Sequence, residues 1–219
     1  IRDDLVTGVQ TCALPISPYV TQTLQETKNT NEVLKEKDQR FAIDVAEAVI
    51  CNSRFTANQV KSLYKRQPEV MHFGLPMEKL QFPEKTAIAE KYNGEKLTFL
   101  FISRIEIWKN LHNIFLALAQ LKKKNLTLGD QLKIDIVGTG SFLEKYKRLA
   151  QVLNVEELLT FHGFVSNDQL SEFFNKAHVL LYLPYEEPMG LVPIEAGLRG
   201  VPTLGSSVDR KSTRLNSSH

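Results

Sequence analysis

The chain has 219 residues, 42% of them hydrophobic and 24% charged, with 27 Lys and Arg against 25 Asp and Glu. This is an ordinary globular balance, with room for one or two domains and a sizeable core, and it excludes a low-complexity or disordered protein. No apolar run approaches the ~20 residues of a membrane-spanning helix.

In chain order, the first sixteen residues (IRDDLVTGVQTCALPI) and the last ten (RKSTRLNSSH) come apart from the rest, with neither a lasting hydrophobic period nor a helix cap. Both ends resemble translated sequencing-adapter read-through and are expected to be non-native scars, at 1–16 and 210–219. On that reading residues 17–209 are native, and the chain is a fragment truncated at both ends. The scars hold four of the Lys and Arg and two of the Asp, so the remainder is neutral and its charge gives no support to a nucleic-acid partner. Cys51 remains as the one native cysteine, which fits a reducing compartment. ALPI follows no basic or extended apolar stretch, so no signal peptide is read there.

Residues 31–50 read as a helix running into a short apolar strand, because Leu34, Phe41, Val45 and Ala48 recur at roughly helical spacing. CNSRFTANQVKSLYKR then starts a second helix, with Ser53 or Thr56 as its cap. VMHFGLP (70–76) reads as a short strand closed by a Gly-Leu-Pro turn. Residues 76–96, charged and broken by Pro and Gly, read as a linker, with 81–95 as the linker proper. From Lys96 the rhythm is regular. LTFLFIS is the continuous apolar run of a buried strand, and NLHNIFLALAQLKKK is an amphipathic helix whose lysines suit its negative end. LKIDIVG is a strand, SFLEKYKRLAQVLN a helix, LLTFHG a strand, NDQLSEFFNKA a helix and HVLLYLP a strand. A short helix opens at Pro193 and is ended by Gly200 and Pro202, and VPTLG is a last strand. Such alternation predicts βαβ units and therefore an α/β fold, a Rossmann-like parallel sheet with helices on both faces.

In an open parallel sheet, ligands bind outside the carboxyl ends of the strands. There the sequence places Ser103-Arg104 with Lys109, the turn Gly138-Thr139-Gly140-Ser141, His162-Gly163, and a loop with Glu187 eight positions before Glu195. Arg forks onto phosphate oxygens and Lys adds a point charge, so the pair fits an anion clamp. A lone Arg at such a place more often serves a surface ion pair than a ligand. The Gly-X-Gly turn serves either a tight turn or a ligand, and Leu143 breaks the G-x-G-x-x-G fingerprint that a dinucleotide oxidoreductase needs. His162 also fits a plain rim residue. With Pro193 first in its helix, Glu195 falls near the third helical position and Glu187 in the loop before it. Both acids then sit beside a helix N-terminus, where trimming the dipole is their structural role. His72, His112, His162 and His178 are not at metal-ligand spacing, so no metal site is expected. G-x-x-x-x-G-K-[ST] and G-x-S-x-G are absent, which argues against a P-loop enzyme and a typical α/β-hydrolase.

SRIEIWKN, VGTGSFLEKYKRLAQVLNV, FHGFVSNDQLSEFFNKAHVLLYLP and EEPMGLVPIEAGLRGVPTLGS occur in this order. Together they resemble the donor-binding domain of a retaining glycosyltransferase of family 4, with the GT-B fold, over residues 96–208. AEAVICNSRFTANQVKSLY resembles the end of that family's first domain. Glu187 and Glu195 meet its E-x-x-x-x-x-x-x-E pattern. Ser103 stands where many members have Gly, and Met189 where the family usually has Phe. The resemblance implies that 17–80 is a remnant of the N-terminal acceptor domain and 96–209 an incomplete nucleotide-sugar-binding domain. It implies a catalytic set in which Arg104 and Lys109 neutralise the donor diphosphate and Glu187 holds hydroxyls of the donor sugar. For donor binding it implies N–H groups near Gly190, Leu191 and Val192, the Glu195 carboxylate on the ribose, and Gly138, Gly140, Gly163 and Phe164 bordering the base. The donor is then a nucleotide-diphosphate sugar and the acceptor a carbohydrate or a lipid-linked group, transferred to with retention. No metal or other cofactor and no nucleic acid takes part. The expected location is the cytoplasm, with peripheral membrane contact through the missing domain, and the fragment alone is expected to be inactive. The competing reading is a nucleotide-binding module without transfer activity.

Overall fold

The structure, a computed structural model, describes residues 30–72, 74, 97–124, 131–185, 187 and 190–205, with backbone alone for 30–37. The ends read as scars and the linker at 81–95 lie outside the described residues, as does Met189. The chain divides into two compact units, one within residues 1–75 joined by 187–189, the other within 76–186 and 190–213.

The first unit contains α1 (Thr30–Val45), β1 (Ile50–Cys51), α2 (Arg54–Tyr64) and β2 (Glu69–Val70), with β1 and β2 paired in parallel. Ser53 caps α2, its hydroxyl accepting from the Thr56 N–H at 3.1 Å, so of the two candidate caps Ser53 is the one used. Val49, Cys51, Ala57, Val60 and Tyr64 form a small buried cluster. The short strand expected from Val70 begins one residue earlier, its pairing covering Glu69 and Val70, while Phe73, Leu75 and Pro76, and with them most of the expected Gly-Leu-Pro turn, lie outside the described residues. A two-residue parallel bridge needs no apolar run, which is why the hydrophobic Val70-Met71 misplaced it.

The second unit alternates β3 (Leu97–Ile102), α3 (Leu111–Lys123), β4 (Leu132–Val137), α4 (Leu143–Val152), β5 (Leu159–Gly163), α5 (Asn167–Lys176), β6 (Val179–Tyr182), α6 (Leu191–Leu198) and β7 (Thr203–Gly205). All five strands are parallel, in the order β5-β4-β3-β6-β7. The period of two along each strand splits the core. Phe101, Ile134, Ile136 and Leu181 face α3 and α4, meeting Leu111, Phe115, Tyr146 and Ala150. Leu100, Val137, Leu180 and Tyr182 face α5 and α6, meeting Phe174 and Ala196. Helices therefore cover both faces, as the alternation predicts. Burying Phe115 and Leu111 completely stabilises the unit by about 1.5–3 kcal/mol each. The strand order reverses at one place: β4 and β5 lie to one side of β3, and β6 and β7 to the other. The crevice outside the carboxyl ends of β3 and β6 is the switch point where such sheets bind ligands.

Candidate functional site

Pairing between β3 and β4 does not stop at their ends. The Ser103 N–H donates to the Val137 carbonyl at 3.1 Å, Ile105 N–H to Thr139 at 2.8 Å, and Phe142 N–H to Ile105 at 3.0 Å. A Cβ on Gly138 would lie 1.9 Å from the Ser103 oxygen, and one on Gly140 2.3 Å from the Ile105 oxygen. Both glycines are thus needed so that the segment carrying Arg104 can press against the β4 turn. Glu106 completes the seam, accepting from the Ser141 N–H at 3.1 Å and its hydroxyl at 2.6 Å. That carboxylate fastens the turn that leads into α4. Arg104 is exposed at the mouth of β3, and Lys109 closes a 3₁₀ turn at Ile107–Lys109 just before α3.

The segment after β6 is fastened to the same turn. The Tyr185 N–H donates to the Trp108 carbonyl at 2.9 Å. The Tyr185 hydroxyl lies 3.0 Å from His112 Nε2, and His112 Nδ1 lies 3.2 Å from the Tyr146 hydroxyl. A neutral imidazole has one donor and one acceptor nitrogen, so His112 can serve both tyrosines at once. Burial lowers the pKa of His112 and so favours that neutral form. Burial also pushes the Tyr146 hydroxyl up to about 12, with Tyr185 and the Glu106 carboxylate adding to the shift against the backbone hydrogen bond at His112. Tyr146 therefore keeps its proton.

Beyond that tether the chain runs through Glu187, which is half-buried and grouped with the first unit, to Gly190 and α6. The helix begins at Leu191, not at Pro193 as expected, so Glu195 is its fifth residue rather than near its third. Gly190 adopts a left-handed φ of 66° and starts the helix early. Proline is tolerated within the first turn because an N–H there has no intrahelical acceptor anyway. Gly190, Leu191 and Val192 form the helix mouth, whose cap carries no side-chain hydrogen bond and whose first turn has no acidic residue. At the other end the Val201 N–H reaches the Ala196 carbonyl and Gly200 N–H that of Gly197, the paired bonds that Gly200 at φ 70° permits. Burial raises the Glu195 carboxyl, and the charge of Arg199 opposes this. Arg199 is itself buried, 4.8 Å above the Phe174 ring, and donates to the Glu195 carbonyl at 3.2 Å.

At the rim of β5, His162 is the extra residue of a bulge, since Phe161 pairs with Ile136 and Gly163 with Val137. The bulge turns His162 Nε2 onto buried Asp135, 2.7 Å away, where Lys133 also pairs at 2.9 Å. Its ring lies 4.5 Å from that of Phe173. His162 is therefore committed to a structural cluster under α5. Gly163, at φ 70°, accepts through its carbonyl from the Gly138 N–H at 2.7 Å, and the Phe164 that follows is 84% exposed. Among the described residues, no group of three or more His, Cys, Asp or Glu could hold a metal ion.

Arg104, Lys109, Gly138, Gly140, Gly163, Phe164, Gly190, Leu191, Val192 and Glu195 thus all belong to the second unit, at or just beyond its strand ends or on α6. Glu106, His112, Tyr146 and Tyr185 were not singled out from the sequence. Their signal is a spatial coincidence of residues 34 to 73 positions apart, which no local pattern carries.

Among known proteins, the D-inositol 3-phosphate glycosyltransferase of Streptomyces bingchenggensis is 28% identical over 188 residues, covering 81% of this chain and 41% of that protein. Human alpha-1,3/1,6-mannosyltransferase ALG2 is 25% identical, covering 76% of this chain and 43% of its own. The chain thus spans about two fifths of the curated relatives it matches. Among solved structures, sucrose-phosphate synthase of Thermosynechococcus elongatus superposes with a TM-score of 0.66 at 23% identity, over 84% of this chain and 46% of that one. Anabaena HepE in complex with UDP-glucose gives 0.63 at 19%, over 80% and 49%. These likenesses show the GT-B fold. Residues 83–211, more than half of the chain, match the family of glycosyl transferases group 1, and the chain belongs to that family.

Proposed function

We propose that this chain is the donor-binding part of a retaining glycosyltransferase that moves a sugar from a nucleotide diphosphate to a carbohydrate or lipid-linked acceptor. The observation that carries this reading is the reversal of strand order between β3 and β6. The segments leaving those two strands are hydrogen-bonded together there, one bearing Arg104 and Lys109, the other leading to the mouth of α6. Negative charge grows on the diphosphate as its bond to the anomeric carbon breaks. Arg104 and Lys109 meet that charge, and N–H groups of Leu191 and Val192 add donors at the positive end of a helix dipole. Pro193 has no N–H, so the donors are confined to the first two helical residues. Glu195 accepts from the ribose hydroxyls, and Glu187 holds the donor sugar so that its anomeric carbon faces the acceptor. The acceptor hydroxyl takes the diphosphate's place on the same face, and the nucleoside diphosphate leaves. Fixed cations and the helix mouth supply the charge stabilisation, and no metal or cofactor is assigned. Gly163 and Phe164 border the base, whereas Gly138 and Gly140 act from behind, by letting the Arg104 segment approach. Residues 17–80 are assigned to the acceptor domain and 81–95 to the linker, and the chain by itself is assigned no transfer activity. We place the protein in the cytoplasm, with membrane contact through the acceptor domain. Among the described residues, no helix is long and apolar enough to cross a membrane.

The test is an assay of the full-length protein against a panel of nucleotide sugars, with the anomeric configuration of the product read by NMR. Transfer with retention is expected. Inverted product overturns the retaining assignment, and tight nucleotide binding without any transfer favours the binding-module reading.

A further inference from the structure

We propose that His112 is a positioning residue for sugar transfer: it holds the Tyr185 hydroxyl and thereby fixes where the chain leaves the sheet, two residues ahead of Glu187. The proposal rests on the transferase reading given above. His112 is the second residue of α3 and lies three positions past Lys109. Its Nε2 is 3.0 Å from the Tyr185 hydroxyl, while the Tyr185 N–H is bonded to the Trp108 carbonyl at 2.9 Å. Tyr185 is thus fastened twice, by backbone and by side chain, to the stretch that carries Lys109. A single backbone bond lets the chain pivot; the second attachment removes that freedom.

His112 is itself held. Its Nδ1 lies 3.2 Å from the hydroxyl of Tyr146, whose ring stacks on the imidazole at 6.2 Å and 12°. Tyr146 is 3% exposed and packs edge-on to Phe115, so the support reaches into the core of the unit. Residues on α3, on α4 and after β6 are joined in one line at the carboxyl end of the sheet. A group that only filled space would not need hydroxyl partners on both nitrogens. Diphosphate binding uses Arg104 and Lys109, and loss of the Tyr185 hydroxyl contact leaves the Tyr185 N–H bond to the Trp108 carbonyl beside Lys109 in place. Sugar placement uses the chain beyond Tyr185. His112 should therefore matter for turnover far more than for diphosphate affinity.

The experiment is a double-mutant cycle in the full-length protein with His112→Leu and Tyr185→Phe, the latter keeping ring and backbone bond. Donor turnover at saturating nucleotide sugar is measured beside UDP and GDP affinity by calorimetry. Each single variant is expected to lower turnover by about tenfold or more, with diphosphate affinity within about threefold. The double variant is expected to be no worse than the poorer single, because both remove the same link. His112→Gln, which can still bond one tyrosine, should recover part of the loss. Additive losses, or a loss of diphosphate affinity as large as the loss of turnover, would overturn the positioning role. Unchanged turnover in variants of an active wild type overturns that role alone. A wild type that binds diphosphate and transfers no sugar overturns the transferase reading along with it.

Discussion

Gly140→Ala tests how the Arg104 segment is held. Gly140 is not in the left-handed region, so alanine meets no backbone penalty there, and the effect depends on space alone. The added methyl would lie 2.3 Å from the Ile105 oxygen and 2.7 Å from its carbonyl carbon and its nitrogen. These are backbone atoms and cannot swing aside, so the two segments must part by about 1 Å to reach ordinary contact. That strains the Ile105–Thr139 bond of 2.8 Å, the Phe142–Ile105 bond of 3.0 Å and the Ser141–Glu106 bond of 3.1 Å. At about 1 kcal/mol for each bond, the cost is about 3 kcal/mol. Loss of glycine's freedom in the unfolded chain returns about 0.4–1 kcal/mol, leaving a net loss of about 2 kcal/mol. With a urea dependence of about 1–3 kcal/mol/M, the midpoint should fall by about 1 M. Trp108 is the sole tryptophan and lies in the 3₁₀ turn of this same segment, so its fluorescence follows the right unit. A midpoint that stays put or rises would refute the close approach. Should UDP affinity then fall with stability intact, Gly140 would border the ligand instead.

Three further outcomes follow from the site. Glu195→Gln removes a carboxyl whose pKa burial has raised above its usual 4.5, against the opposing charge of Arg199. A native state that holds this proton more tightly gains stability in full below pH 4.5, and that contribution is lost as pH rises through the raised value. The ligand-free variant should therefore melt higher than wild type at pH 7, with the gain gone at pH 4, while nucleotide and nucleoside affinity both fall. A lower melting temperature at pH 7 would point to a capping role. Asp135→Ala should cost about 1–3 kcal/mol in the same urea titration, since His162 Nε2 and Lys133 lose their shared acceptor, and nucleotide affinity should hold within about threefold. A large affinity loss at unchanged stability would move this cluster into the binding site. Glu187→Gln in the full-length protein should leave diphosphate affinity nearly unchanged yet lower donor turnover, and equal turnover would sink its sugar-holding role.

Secondary structure in the second unit was legible because its strands are continuous apolar runs and its helices carry the 3.6-residue period. LTFLFIS and LKIDIVG could hardly be anything but buried strands, and both fall within a residue or so of the observed bounds. Helix α6 was harder. Pro193 looks like a first helical residue, and only the left-handed Gly190 moves the start to Leu191. The meaning of Gly-Thr-Gly was equally hidden, because the demand on it comes from Ser103 and Ile105 across the sheet edge rather than from its own neighbours. Of the candidate site, Arg104, Lys109 and the two acids stood out as charges at strand ends and beside a helix start. His112 and Tyr185 did not, since a hydrogen bond between residues 73 positions apart leaves no periodic trace. His162 was visible but undecided, and the bulge that turns it onto Asp135 settles its use.

The most direct measurement is the calorimetric titration of this chain and its Arg104→Ala variant with UDP and GDP, each set against its own nucleoside. Arg104 at the mouth of β3 is the exposed cation on which the diphosphate reading turns. A charge-assisted hydrogen bond contributes about 1.5–3 kcal/mol, so the variant should bind the preferred diphosphate about ten- to a hundredfold more weakly. Affinity for the nucleoside should stay within about threefold. Equal weakening of diphosphate and nucleoside, or no weakening of either, would contradict the placement of the diphosphate at this strand end.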